Sequence, residues 1–409
     1  MRSLLIIVSL AVVCSSCSAQ PLVINNGNNT GTNSTNDSND GIPQLPTITP
    51  DGTTGFFQPV ITPTAIALQP LTDAAPAPVL DPIEVGSIGD DSVLGQHMHN
   101  LVDAGLFSGS VLVARHGQIL LRHGYGMANN ATRITATTRF RLASLSKQFT
   151  ATLVLRLHEQ GRLNIDDGIC NYIEACPPAW GQVTIRHLLS HSSGIPDYTE
   201  FRSFDATQAN PTTREELIAR FRGNPLQFTP GSAFRYSNSG YVLLGAILEY
   251  VTGTPYADLL RNEITAPLGL NDTGYDHSRN GNDPTLAQGW LRRGVAADAI
   301  DASTLDAAGA LYSTVDDLFR WDRALAEGRV LHADTLAMMR TPQIKRYGLG
   351  VMLYPLGNMA VVHHDGMASG IRTFLGNFTD NDITVVILSN YETIDIEGIA
   401  TYLAQLASQ

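Results

Sequence analysis

Ser144 and Lys147 stand three residues apart in Ser144-Leu145-Ser146-Lys147, at the head of an apolar stretch free of Gly and Pro. Residues three apart on a helix share a face, with Cβ atoms roughly 5–6 Å from one another. A serine hydroxyl is a weak nucleophile until a neighbouring base takes its proton. An amine with a depressed pKa can be that base; a guanidinium cannot give up its proton. The distinction matters because the chain uses 24 arginines and only two lysines, Lys147 and Lys345. Lys345 lies beside Arg346 ahead of a predicted strand and reads as a surface residue. Ser144 is placed near a helix start, where the dipole favours developing negative charge. Ser-x-x-Lys alone recurs by chance, so further groups are needed to make a site.

Two other constellations supply them. Tyr236-Ser237-Asn238 follows the turn Phe228-Thr229-Pro230-Gly231 and precedes a predicted helix. A loop at a helix start presents polar groups well. Tyr236 would serve as a phenolate base if cations lowered its pKa, and Asn238 would donate its amide to a substrate carbonyl. His363-His364-Asp365-Gly366-Met367 ends a predicted strand. His364 would place a hydrogen-bonding or positive group at the cleft, and Gly366 would let a substrate backbone approach closely. Adjacent histidines on a strand point to opposite faces, which suits them poorly to chelating one metal ion.

These residues need elements to position them. A first helix is expected over 91–104, and a hairpin from Ser110–Ala114 and Ile119–Tyr125 around Arg115-His116-Gly117-Gln118. The Lys147 helix runs over 145–158 and stops at Gly161. Further helices are predicted over 184–190 with Thr184 as cap, 239–251, 256–264, 313–325 with a Ser313-Thr314-Val315-Asp316 capping box, and 333–340. Strands return at 348–354, 360–363, 371–378 and 383–389, before a last helix over 397–407. The order predicts an α+β fold: one antiparallel sheet built from both ends of the domain and flanked by helices, with a central helical insertion. A cleft between sheet and insertion is the expected place for a site.

Composition bounds the rest. Asp+Glu is 38 against 26 Lys+Arg, a net charge of −12, which argues against a nucleic-acid partner. Leu4 to Val13 is an apolar run of ten broken only by Ser9, behind Arg2 and ahead of small residues, and residues 1–19 read as a secretory signal. Cys17 after Ser15-Ser16 makes a lipidation candidate and hence a membrane tether, with simple cleavage near Ala19 as the competing reading. Residues 20–82 hold ten of the 21 prolines and an Asn/Thr/Ser-rich run, the composition of a disordered linker. The folded domain is expected over 83–409. Its two cysteines, Cys170 and Cys176, are a disulfide candidate in an oxidising, extracytoplasmic compartment. No His or further Cys stands near them at metal-ligand spacing.

Taken together, Ser144-x-x-Lys147, Tyr236-Ser237-Asn238 and His364-Asp365-Gly366 resemble the serine β-lactamase and penicillin-binding-protein family. The branch they resemble holds class C β-lactamases, D-alanyl-D-alanine carboxypeptidases and related esterases. The resemblance covers about 90–405 and includes Ile185-Arg186-His187-Leu188-Leu189-Ser190-His191-Ser192-Ser193-Gly194-Ile195-Pro196 and Pro267-Leu268-Gly269-Leu270. It implies Ser144 as acylated nucleophile, Lys147 and Tyr236 sharing proton transfer, and Asn238, His364 and Gly366 as substrate-binding groups. The backbone N–H groups of Ser144 and Met367 would form an oxyanion hole. His364 stands where Lys-Thr-Gly members carry lysine, and Asp365 adds a negative charge; both point away from efficient β-lactam hydrolysis. The implied protein is an exported serine hydrolase acting on an amide or ester carbonyl of a small molecule or peptide, without metal or organic cofactor. A D-alanyl-D-alanine carboxypeptidase-like activity leads. A family VIII-type carboxylesterase and a catalytically silent peptidoglycan-binding module are the alternatives. An α/β-hydrolase would want a Gly-x-Ser-x-Gly elbow, which the sequence lacks. Nothing in the sequence sets the oligomeric state.

Overall fold

A computed structural model describes residues 88–279 and 281–409. Residues 1–19 and 20–82, where a signal and a linker are expected, and with them Cys17, lie outside the described residues. Helix α1 (Val93–Asp103) opens the domain, capped by the Ser92 hydroxyl on the Gly95 N–H. The hairpin follows as β1 (Gly109–Arg115) and β2 (Gln118–Tyr125), and the Lys147 helix as α2 (Ser146–Glu159). The helical region includes α3 (Asn238–Thr252) and α4 (Val315–Ala326). Strands β3 (Val361–Ala368), β4 (Ile371–Phe378) and β5 (Ile383–Ser389) lead to α5 (Ile396–Ser408). The five strands form one antiparallel sheet in the order β2-β1-β5-β4-β3, so both ends of the domain build it.

The central strands carry apolar residues on both faces, because both faces are covered. Val111, Val113, Val385 and Ile387 pack with α1 and α5. Their neighbours Leu112, Ala114, Val386 and Leu388 belong to the larger core of the helical region. Period-two side-chain alternation divides the residues between the two cores.

Helix α2 lies within the larger core and is buried on every side from Ser146 to Leu157. Phe149 stacks on Trp321 of α4 with ring centroids 4.3 Å apart. Two of its buried polar side chains are bonded within the core: Thr150 donates to the Ala307 carbonyl at 2.7 Å, and Trp321 donates to Gln148 at 3.2 Å. A helix clamped this way gives Lys147 little freedom.

Several expectations change. Residues 348–354 form no strand: Gly350 has φ +80°, and a Cβ there would lie 2.5 Å from Ala151. The chain turns there against α2 instead of extending. The α4 cap is Thr314, accepting from the Asp317 N–H, and Ser313 closes a short strand Leu311–Ser313. That strand pairs with Phe140–Arg141 and Gly274–Tyr275 in a small sheet that the sequence reading missed. Helices Arg202–Thr207 and Arg214–Arg222 were also missed. Cys170 and Cys176 are joined as a disulfide.

Phe149→Ala should destabilise the domain by about 3–5 kcal/mol in urea denaturation, the usual cost of emptying a buried aromatic site. A loss below about 1 kcal/mol would show that the stack does not hold α2 in place.

Candidate active site

The turn carrying Ser144 is a single 3-10 turn, Ala143–Leu145, leading into α2. Ala143 takes φ +49°, a left-handed conformation that costs energy for any residue but glycine. The sheet holds it there. Thr373 of β4 donates to the Leu142 carbonyl at 2.7 Å. Gly366 of β3 lies so close that a Cβ would come within 2.2 Å of the same oxygen. The glycine therefore admits the protein's own nucleophile turn rather than a substrate backbone, which corrects the role expected of it.

Lys147 is fully buried, and its ammonium nitrogen has three partners: Ser144 Oγ at 3.0 Å, Asn238 Oδ1 at 2.8 Å and the Ala308 carbonyl at 2.9 Å. Burial pushes the Lys147 pKa down to about 7, against the opposing pull of Asp197 and Asp365. In the neutral form, two N–H groups donate to Asn238 and Ala308. The nitrogen lone pair then faces the Ser144 hydroxyl, the arrangement a general base requires.

Asn238, at the start of α3, is oriented from behind. Its Nδ2 donates to Asp197 Oδ2 and Thr199 Oγ1, each at 3.0 Å. Both amide hydrogens are thus committed within the protein, and Asn238 positions Lys147 instead of donating to a substrate. Asp197, Thr199 and Ala308 escaped the sequence reading. The quoted Ile185–Pro196 stretch stops one residue short of Asp197, and Ala308 contributes only a backbone oxygen, which no side-chain pattern announces.

Tyr236 lies beside the lysine, with Nζ 4.8 Å from its ring centroid. Among the described residues its buried hydroxyl has no hydrogen-bond partner of good geometry, although Ser144 is near enough to influence its ionisation. Burial raises the phenol well above its usual range. The expected phenolate base is therefore replaced by a neutral phenol, and Lys147 is the group suited to accept a proton.

His364 departs furthest from expectation. It is fully buried, with Nδ1 2.6 Å from the Asp365 carbonyl and Nε2 3.0 Å from Tyr347 Oη. Tyr347 Oη also lies 3.2 Å from His191 Nε2, and the Ser237 N–H donates to His191 Nδ1 at 3.1 Å. The Ser237 donor fixes the direction of the chain. His191 donates to Tyr347, Tyr347 donates to His364, and His364 donates to the Asp365 carbonyl. Burial holds both imidazoles neutral, with His364 pushed down to about 3. His191 stacks on Tyr236 at 4.1 Å. His364 thus supports the Tyr236 loop from within and is not free to touch a substrate. His363 points to the other face and packs on Tyr354 and Phe374. Asp365 pairs with Arg372 at 3.4 Å.

Ser144, Asn238, Ala308 and Met367 line one cavity of about 430 Å³ between the sheet edge and the helical region. The Met367 side chain is exposed there.

The beta-lactamase family model matches residues 92–408. The chain belongs to that family. It is 30% identical over 313 residues to penicillin-binding protein 4* of Bacillus subtilis, covering 70% of this chain and 68% of that one. Among solved structures it resembles the octameric penicillin-binding protein homologue from Pyrococcus abyssi, with TM-score 0.69 and 27% identity over 78% of this chain and 77% of that one. The D-amino acid amidase of Ochrobactrum anthropi aligns with TM-score 0.67 and 25% identity, covering 78% of this chain and all of the amidase. Family membership makes the protein a serine hydrolase of the β-lactamase fold.

If the Lys147 amine is the base, activity needs it neutral, so kcat/KM should climb about tenfold per pH unit below pH 7 and level off above it. Lys147→Arg should lose at least about a thousandfold, because a guanidinium stays protonated. A flat profile from pH 5 to 8, or an active arginine variant, would remove Lys147 as the base.

Proposed function

We propose that the protein hydrolyses small amide or ester substrates through an acyl-enzyme on Ser144, with D-amino-acid amides and peptides as the leading class. The observation that carries this reading is the 3.0 Å contact between Ser144 Oγ and an amine that burial has prepared to lose its proton. Lys147 takes the Ser144 proton as Oγ attacks the carbonyl carbon. Negative charge develops on the carbonyl oxygen, which the Ser144 and Met367 N–H groups are proposed to receive. The resulting Lys147 ammonium returns the proton to the leaving group, with the neutral Tyr236 phenol as relay. Water then releases the acid by the reverse proton path. Similarity to a D-amino acid amidase supports the amide class, as similarity to penicillin-binding proteins supports D-peptides.

Export is part of the same proposal. The N-terminal pattern supports it, and the Cys170–Cys176 disulfide suits an oxidising compartment.

Ser144→Ala should abolish covalent labelling by fluorophosphonate and penicillin probes, read by intact mass; specific labelling that persists would reject Ser144 as the nucleophile. Cells fed a labelled fatty acid should mark the mature protein at Cys17, and an unlabelled mature protein would remove the lipid anchor while leaving export in place.

A further inference from the structure

The charges around the cavity point to a choice of substrate. Among the described residues its lining includes two acidic residues, Glu392 and Asp298, and no Lys, Arg or His. Lys147 is not part of the lining: it is buried, and its Nζ is taken up by Ser144, Asn238 and the Ala308 carbonyl. A carboxylate entering this space would meet two like charges, whereas an ammonium would meet two opposite ones.

Glu392 is held at the cavity by the fold. The Glu392 N–H donates to the Trp290 carbonyl at 3.0 Å, and the Gly370 N–H donates to Glu392 Oε2 at 2.9 Å. One carboxylate oxygen is thereby fixed and the other is left for a ligand. Asp298 is exposed, just beyond the short strand Val295–Ala296, and lines an adjoining cavity of about 460 Å³ as well. The two cavities share Ala297, Asp298, Ile300 and Ser369 and form one groove. Among the described residues the adjoining cavity has one cationic side chain, Arg141, and it is occupied: Asp276 at 2.7 Å, Ser278 at 3.2 Å and the Gly281 carbonyl at 2.9 Å. Neither Glu392 nor Asp298 has an ion-pair partner among the described residues. Buried or paired carboxylates are ordinary structural features, but unpaired ones facing a nucleophile's cavity set the charge of what can bind there.

We propose that Glu392 and Asp298 select substrates with a free ammonium group beside the scissile carbonyl, namely amino-acid amides, esters and short peptides with an unblocked amino end. The proposal rests on Ser144 as the acylated nucleophile. It separates this enzyme from those that recognise a terminal carboxylate, as a carboxypeptidase or a β-lactamase must. The amino end lies on the acidic part of the cavity lining and the acyl carbon at Ser144, which lines the same cavity.

Three chromogenic substrates with one leaving group test it: D-alanine p-nitroanilide, its N-acetyl form and its N-succinyl form, which present a positive, a neutral and a negative group. Rates are normalised to the fraction of Ser144 titrated by a fluorophosphonate, so misfolded protein does not count. The wild type should prefer the free amine over the N-acetyl compound by about tenfold or more, as expected for a charge-assisted contact, and should turn over the succinyl compound slowest. Glu392→Gln keeps the acceptor for Gly370 and, with Asp298→Asn, should bring the amine-to-acetyl ratio of kcat/KM close to one, mainly through KM. Equal rates for the three substrates overturn the proposal. So does a preference that survives the double variant, or a wild type that labels at Ser144 yet cleaves none of the three. Failure to label Ser144 would instead defeat the acyl-enzyme reading beneath it.

Discussion

A primary amine enclosed on all sides governs this structure. Lys147 occupies a place where water cannot stabilise its charge, and two carboxylates only partly restore what burial removes. Three oxygens surround the nitrogen, one each from the nucleophile turn, α3 and the Ala308 backbone. That geometry satisfies an ammonium with three donors and also a neutral amine with two donors and a lone pair. The site can therefore hold the proton or release it without rearranging. Removing any one of the three elements would leave the nitrogen under-coordinated in a dry interior, which is costly.

The rest of the fold serves that enclosure. Helix α2 is clamped in the core by the Phe149–Trp321 stack. The sheet, assembled from both ends of the domain, presses β3 and β4 onto the strained turn at Ala143, with Thr373 and Gly366 in contact with the Leu142 carbonyl. The neutral His364–Tyr347–His191 chain runs beside Tyr236 and ends on the Ser237 N–H. It ties the C-terminal strand motif to the Tyr-Ser-Asn loop without placing a second charge next to the lysine.

Much of this was legible in the chain. Short apolar runs bounded by turn residues marked β4 and β5 to the residue, and the scarcity of lysine singled out Lys147. Strands of two or three residues, such as Phe140–Arg141, carry no periodicity to read. Helix Arg214–Arg222 does carry a signal in the chain, the Thr213–Glu216 capping box. His364 was misplaced for a physical reason. A histidine at a predicted strand end, two residues before a glycine, suggests a cleft, but the strand runs on to Ala368 and packing supplies a partner for each ring nitrogen. Asp197 resembled an ordinary loop aspartate because its role depends on Asn238, 41 positions away.

The state of the amine itself can be observed. With Lys345 replaced by arginine, lysine labelled with carbon-13 at the ε position gives a single side-chain signal, and its shift can be followed against pH in the ligand-free protein. The account predicts a midpoint near 7, with the signal of a neutral amine at pH 8.5. A midpoint above about 10, the ordinary range of an exposed lysine, would contradict it.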